Sequence, residues 1–81
     1  MFNNKNILVT GGTGSFGKKF ILQTLKKYNP KKIIVYSRDE MKQWEMNELL
    51  KESKIKYIIG DIRDLSRLSE SLTGIDYVVH A

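Results

Sequence analysis

Thr10-Gly11-Gly12-Thr13-Gly14-Ser15-Phe16-Gly17 is the stretch that decides the fold of this 81-residue chain. The apolar run Ile7-Leu8-Val9 leads into it, and a helical pattern of Phe16, Phe20, Ile21, Thr24, Leu25 and Tyr28 leaves it. Gly11 suits the tight turn out of the strand, Gly14 lets the backbone approach a pyrophosphate, and Gly17 lets the new helix pack against the sheet. The free N–H groups and positive dipole end of that helix then face two phosphates. A glycine-rich turn alone is a weak signal. Set between a strand and a helix, it reads as a dinucleotide site rather than a bland turn.

Outward from this turn, the first strand covers about residues 6–10 and the first helix about 15–28. Asn29-Pro30 stops the helix, because proline cannot continue the ladder and restrains the residue before it. Ile33-Ile34-Val35-Tyr36 follows as a β-branched run without polar alternation, which suits a parallel strand buried on both faces. A second helix is expected to about residue 50, with Ser37 and Glu40 at capping-box spacing and Met41, Trp44, Glu45, Glu48 and Leu49 on a broad face. Trp44 reads there as a packing residue rather than a cofactor-stacking one. The third strand is expected at 55–59, with Lys56 discordant. Asp64 then caps a helix bearing Leu65, Leu68 and Leu72, and Gly74 ends it. Residues 75–80 form the fourth strand. The fold class is α/β: the amino-terminal half of a Rossmann-type parallel sheet, strand order 3-2-1-4, joined by right-handed crossovers.

Length and composition bound the rest. A chain this short is at most one small domain, about half of a dinucleotide fold, so residues 1–81 are expected to be the amino-terminal part of an NAD(P)-binding domain in a longer enzyme. There are no cysteines, which excludes disulfides and thiolate ligation. No apolar run reaches the roughly 18 residues of a membrane span, and the start is not a signal peptide; a cytoplasmic protein is the expectation. The net charge is +5, with nine Lys/Arg against two acids in residues 1–44 and five against seven in 45–81. Lys18, Lys19, Lys26, Lys27, Lys31 and Lys32 mostly fall on the polar side or the end of the first helix and read as a solvated face rather than a nucleic-acid surface, since zinc-finger cysteines and an RNP-type aromatic stripe are missing. The positive field still favours an anionic cofactor or a sugar nucleotide.

Ligands of such sheets bind beyond the carboxyl ends of the strands, which places residues 10–17, Ser37-Arg38, 60–62 and His80-Ala81 at the rim. An NAD site offers a carboxylate at the end of the second strand, and an NADP site a cation for the 2′-phosphate. Here Arg38 supplies a guanidinium that can fork onto phosphate, Ser37 a hydroxyl donor, and Lys42 a second charge one turn on. This favours NADP, while Asp39 keeps NAD open. Asp61 either accepts from the adenine amino group, with Ile62 contributing its backbone, or holds its own turn by an Asx-type bond. His80 reads as a hydrogen-bonded structural group at a buried strand end, because no metal-ligand constellation surrounds it. Tyr28 and Lys32 match a Tyr-x-x-x-Lys catalytic pair only formally: Pro30 interrupts the turn, and the segment enters the second strand from the end away from the crevice.

With those residues in place, the chain resembles the amino-terminal segment of the extended short-chain dehydrogenase/reductase superfamily, whose Thr-Gly-x-x-Gly-x-x-Gly signature is residues 10–17. More narrowly it is similar to the inverting UDP-N-acetylglucosamine 4,6-dehydratases. The match lies in residues 7–17, Ile34-Val-Tyr-Ser-Arg-Asp-Glu40, Lys42-Gln-x-Glu-Met46, Gly60-Asp-Ile-Arg-Asp64 and Asp76-Tyr-Val-Val-His-Ala81. The resemblance implies an NADP enzyme that oxidises the sugar at C4, eliminates water across C5 and C6, and returns the hydride to C6 with inversion at C5. It implies pyrophosphate contacts from Gly11, Thr13, Gly14, Ser15, Phe16 and Gly17, and 2′-phosphate contacts from Ser37, Arg38 and Lys42. Asp61 and Ile62 would meet the adenine, and Ala81 would begin the small-residue run behind the cofactor ribose. UDP-N-acetylglucosamine is the implied substrate and a homo-oligomer the expected assembly. The family's catalytic residues fall beyond residue 81, so none is assigned here. A related sugar-nucleotide epimerase or reductase, or an inactive fragment, are the other readings.

Overall fold

The computed structural model describes residues 1–81. Seven elements alternate: β1 (Asn6–Thr10), α1 (Ser15–Lys27), β2 (Lys32–Ser37), α2 (Glu40–Leu50), β3 (Ile55–Ile59), α3 (Leu65–Ser71) and β4 (Tyr77–His80). The strands form one sheet in the order β3-β2-β1-β4, and every pairing is parallel, with Ile7 beside Ile33 and Tyr77, and Ile33 beside Ile55. The expected α/β class and strand order are therefore what the chain adopts. No helix is long and apolar enough to cross a membrane.

The two sheet faces are covered unequally. Ile7, Val9, Ile33, Val35 and Ile55 share a buried cluster with Ile21 of α1 and Met46 of α2. Each such aliphatic side chain contributes about 1.5–3 kcal/mol when fully buried. Leu8 and Tyr36, on the opposite face by alternation, are fully buried as well, so the run in β2 is covered on both sides. Right-handed crossovers put α1 and α2 on the first face, and the return from β3 to β4 puts α3 on the second. Phe2 closes the amino end of the first face, edge-on to Phe20, Tyr28 and Tyr77 at ring-centroid distances of 6.0, 5.3 and 5.3 Å.

Several local expectations are corrected. In α1 the buried line is Gly17, Ile21 and Thr24, and Phe16, in the first turn of the helix, is 67% exposed and lies off the core stripe. The cap of α2 is Asp39, whose Oδ1 accepts from the Lys42 N–H at 3.0 Å, in place of the Ser37/Glu40 box. That helix buries Gln43 and Met46, while Met41, Trp44 and Leu49 face solvent, so Trp44 is not a packing residue. Gln43 wins its place through polar bonds: its Nε2 donates to the Ser37 Oγ at 2.9 Å and to the Ile58 carbonyl at 2.9 Å. The other predicted cap holds, since Asp64 accepts from the Arg67 N–H at 3.2 Å. The fourth strand is shorter than expected at its start.

α3 buries no residue, and Val78, on the face α3 shares, is 54% exposed. Val79, by contrast, packs against the buried cluster. The more open apolar face of β4 is thus the Val78 side, while Val79 and the partly exposed Tyr77 register with Val9 and Ile7 on the face of the buried cluster. Both outer strands, β3 and β4, also present a free edge, and free edges and uncovered apolar surface promote association. The 81 residues alone are accordingly expected to be partly unfolded or self-associated, to bind NADP weakly and to catalyse nothing. Sedimentation with amide exchange checks this. Protected amides should concentrate in β1 and β2, and a monomer with slow exchange in all four strands would contradict it.

Candidate functional site

At the carboxyl edge of the sheet lies a cleft of about 360 Å³, lined by Thr10, Gly11, Tyr36, Ser37, Arg38, Gly60, Asp61, Ile62, Arg63, His80 and Ala81. Its position follows from the topology. Chain segments diverge on either side of β1, where successive crossovers run in opposite directions, and leave a crevice between them. Gly11 makes the exit from β1 with φ of +67°, a conformation that costs glycine nothing and other residues dearly. Its N–H donates to the Tyr36 carbonyl at 3.1 Å, and the Ala81 N–H donates to the Thr10 carbonyl at 3.0 Å. A Cβ at Gly11 would stand 2.9 Å from the Ala81 carbonyl oxygen.

Of the residues singled out from the sequence, Gly11, Ser37, Arg38, Asp61, Ile62 and Ala81 meet in this cleft. Gly14, Ser15 and Phe16 are exposed at the start of α1. Gly14 is its N-cap; no side chain caps the helix, and no acidic residue stands in the first turn. An uncapped helix start with its amides outward is suited to an anion. Gly17 is buried beneath it. Thr13 and Lys42 line a separate groove with Lys18 and Glu45, so Lys42 does not share the cleft of Ser37 and Arg38. In the first turn of α2, its backbone N–H donates to the Asp39 carboxylate.

The polar interior of the cleft centres on Asp61. Its Oδ1 accepts from the Arg63 backbone N–H at 2.9 Å, the Asx-type bond, and Arg63 also forks onto both carboxylate oxygens, at 3.1 Å from Nε to Oδ1 and 2.7 Å from Nη2 to Oδ2. Arg38 stands further off, its Nη1 3.6 Å from Oδ2, and its side chain is 70% exposed. The side-chain and backbone hydrogen bonds from Arg63, with the charges of Arg63 and Arg38 behind them, hold the Asp61 carboxyl far below the usual carboxylate range. Whatever stability this pairing contributes is therefore present above the unfolded carboxylate pKa and lost only as pH falls through the lowered folded value.

Three supporting residues escaped the sequence reading. Tyr36, fully buried, donates its hydroxyl to the Asp61 carbonyl at 3.0 Å, and a Cβ on Gly60 would collide with its ring. Gln43 donates to the Ser37 Oγ, which leaves the hydroxyl hydrogen of Ser37 free to donate elsewhere. Arg63 was visible only as a letter in Gly60-Asp-Ile-Arg-Asp64. His80 bonds to the Thr10 Oγ1 through Nδ1 at 2.6 Å, but it is exposed rather than buried. Tyr28 follows α1 as its C-cap and Lys32 opens β2, at the sheet end away from the cleft, which agrees with rejecting them as a catalytic pair.

Comparison with known proteins gives one consistent picture. The family described as "Polysaccharide biosynthesis protein" matches residues 7–81. A UDP-N-acetylglucosamine 4,6-dehydratase (inverting) of Campylobacter jejuni is 54% identical over all 81 residues, which cover 24% of that protein. A UDP-glucose 4-epimerase of Rickettsia bellii is 44% identical over 84 aligned positions, covering the whole of this chain and 25% of its own length. Among solved structures, Pen from Bacillus thuringiensis superposes with a TM-score of 0.94 at 39% identity, over 100% of this chain and 25% of that one. WbmG of Bordetella bronchiseptica, in complex with NAD, gives 0.77 at 25% identity over 98% and 25%. The chain thus spans about a quarter of the length of the curated relatives it matches.

Proposed function

Because this chain belongs to the polysaccharide biosynthesis protein family, we propose that residues 1–81 are the amino-terminal, cofactor-holding part of an NADP-dependent inverting UDP-N-acetylglucosamine 4,6-dehydratase. The observation that carries the cofactor reading is the cleft itself. One rim brings the Gly11 turn and the open guanidinium of Arg38 together, and the uncapped start of α1 follows directly from that turn. Pyrophosphate would lie on the amides of residues 13–17, with Gly14 letting the backbone approach and Ser15 and Phe16 flanking it. Arg38 would take the 2′-phosphate with a hydrogen bond from Ser37, and Lys42 would add a longer-range charge from its separate groove.

The adenine would lie against Asp61 and Ile62, and Ala81 would back the ribose. Since the Asp61 carboxylate is already forked by Arg63, it is presented as part of a preset turn. A nicotinamide cofactor supplies hydride acceptance and return. The residues of this segment would bind and orient it. A cytoplasmic location and a homo-oligomeric assembly belong to the same proposal.

The higher identity to the inverting dehydratase than to the epimerase supports the dehydratase reaction. The epimerase likeness, which also covers the whole chain, favours a related sugar-nucleotide epimerase as the second reading. Incubating the complete enzyme with UDP-N-acetylglucosamine and analysing the product by NMR separates them. The expected product is a UDP-2-acetamido-2,6-dideoxy-4-hexulose inverted at C5. Recovery of a C4 epimer, with C6 still bearing its hydroxyl, would establish the second reading instead.

A further inference from the structure

Two guanidinium groups flank one carboxylate in the cleft, and the geometry is asymmetric. Arg63 holds Asp61 by a backbone N–H and a side-chain fork, the shortest contact being 2.7 Å. Arg38 approaches the same carboxylate only to 3.6 Å, beyond hydrogen-bond distance. Chain distance explains which arginine wins. Arg63 is two residues from Asp61, inside one turn, so ordering it against that carboxylate costs little entropy, whereas Arg38 arrives from the end of another strand. A carboxylate so occupied is poor at capturing a second guanidinium, and it repels a nearby phosphate less than a free one would.

We infer that Arg63 is a positioning residue for cofactor choice: by occupying Asp61 it leaves Arg38 free to receive a 2′-phosphate. The inference rests on the reading of Arg38 given under Proposed function. Without Arg63, Asp61 would be an uncompensated carboxylate at the cleft, and Arg38 is the cation standing nearest to take its place. The guanidinium would then fold onto Asp61 instead of waiting for phosphate, and NADP would lose its advantage while NAD, which has no 2′-phosphate, would not. Asp39 does not interfere in the same way, since its carboxylate caps α2 through the Lys42 N–H.

The test is the ratio of Kd for NAD to Kd for NADP, measured by calorimetry on the complete enzyme at fixed ionic strength. R63M is expected to lower this ratio by about fivefold or more, chiefly by weakening NADP. D61N, which removes the competing charge, is expected to raise the ratio by about twofold. The double variant D61N/R63M should return it to the wild-type value or above, a rescue that a merely structural role for Arg63 would not produce. An unchanged ratio in R63M, or a ratio in the double variant as low as in R63M, would overturn the inference. Should R63M fail to fold, R63Q takes its place, and an unchanged ratio in R63Q overturns the inference in the same way. R38A separates the two layers. A ratio that collapses in R38A but ignores R63M defeats only the role of Arg63, whereas a ratio indifferent to R38A defeats the 2′-phosphate reading beneath it as well.

Discussion

Replacing Arg38 by alanine in the complete enzyme is expected to weaken NADP binding by about tenfold or more and to leave NAD nearly unchanged. Arg38 follows directly on β2, at the carboxyl edge where a ribose would lie. It is 70% exposed, and as a cation just before a helix start it gains nothing from the dipole of α2. A charge-assisted fork onto phosphate contributes about 1.5–3 kcal/mol, and a tenfold change in affinity corresponds to about 1.4 kcal/mol, so the expected loss needs only one such contact. NAD would offer the same guanidinium only a neutral 2′-hydroxyl. Calorimetric titration of both cofactors checks the prediction: equal losses would show that Arg38 acts on the shape of the cleft rather than on the 2′-phosphate.

Much of this fold was legible because its central elements are locally consistent. β1 and β2 are continuous apolar runs between clear breaks, the Thr10–Gly17 turn carries its glycines at the required places, and Asp64 caps α3 as its spacing suggests. What could not be read was sidedness that depends on distant partners. In α2 the apolar letters Met41, Trp44 and Leu49 point outward, and the buried place goes to Gln43, whose amide is worth burying only because Ser37 and Ile58 offer it acceptors across the sheet edge. The exposed face of β4 likewise depends on which side each crossover takes, and that placed Val78 in the open while Val79 packs against the buried cluster. The site shows the same division. The backbone parts of the cleft follow from the motif, but the Tyr36 bond to the Asp61 carbonyl links residues 25 apart and has no local signature.

The glycine turn yields the largest expected effects, and the structure separates two of its members by mechanism. A Cβ on Gly17 would stand 2.6 Å from the Gly11 carbonyl oxygen and 2.6 Å from the Gly12 Cα. Both are backbone atoms held between β1 and α1, so neither can swing aside, and relief requires α1 to lift from the sheet. G17A is therefore expected to cost at least the upper end of the roughly 1–3 kcal/mol typical of overpacking. A loss of about 3 kcal/mol lowers the melting midpoint of a 150–250-residue domain by about 6–12 °C. Cofactor binding would fall with it, because Ile21 and the first amides of α1 move together.

Gly14 is different. A Cβ there meets only the Gly11 carbonyl oxygen, at 3.5 Å, an ordinary contact, so G14A should melt close to wild type. Its methyl group would instead occupy the space through which a pyrophosphate approaches the backbone, and both NADP and NAD should bind about tenfold more weakly or worse. K26A, on the exposed side of α1, serves as the control and should change neither quantity. Thermal melting and cofactor titration of the three variants side by side distinguish the cases. Wild-type affinity in G14A would place the pyrophosphate elsewhere, and wild-type melting in G17A would mean that α1 and β1 can separate at their closest approach without cost.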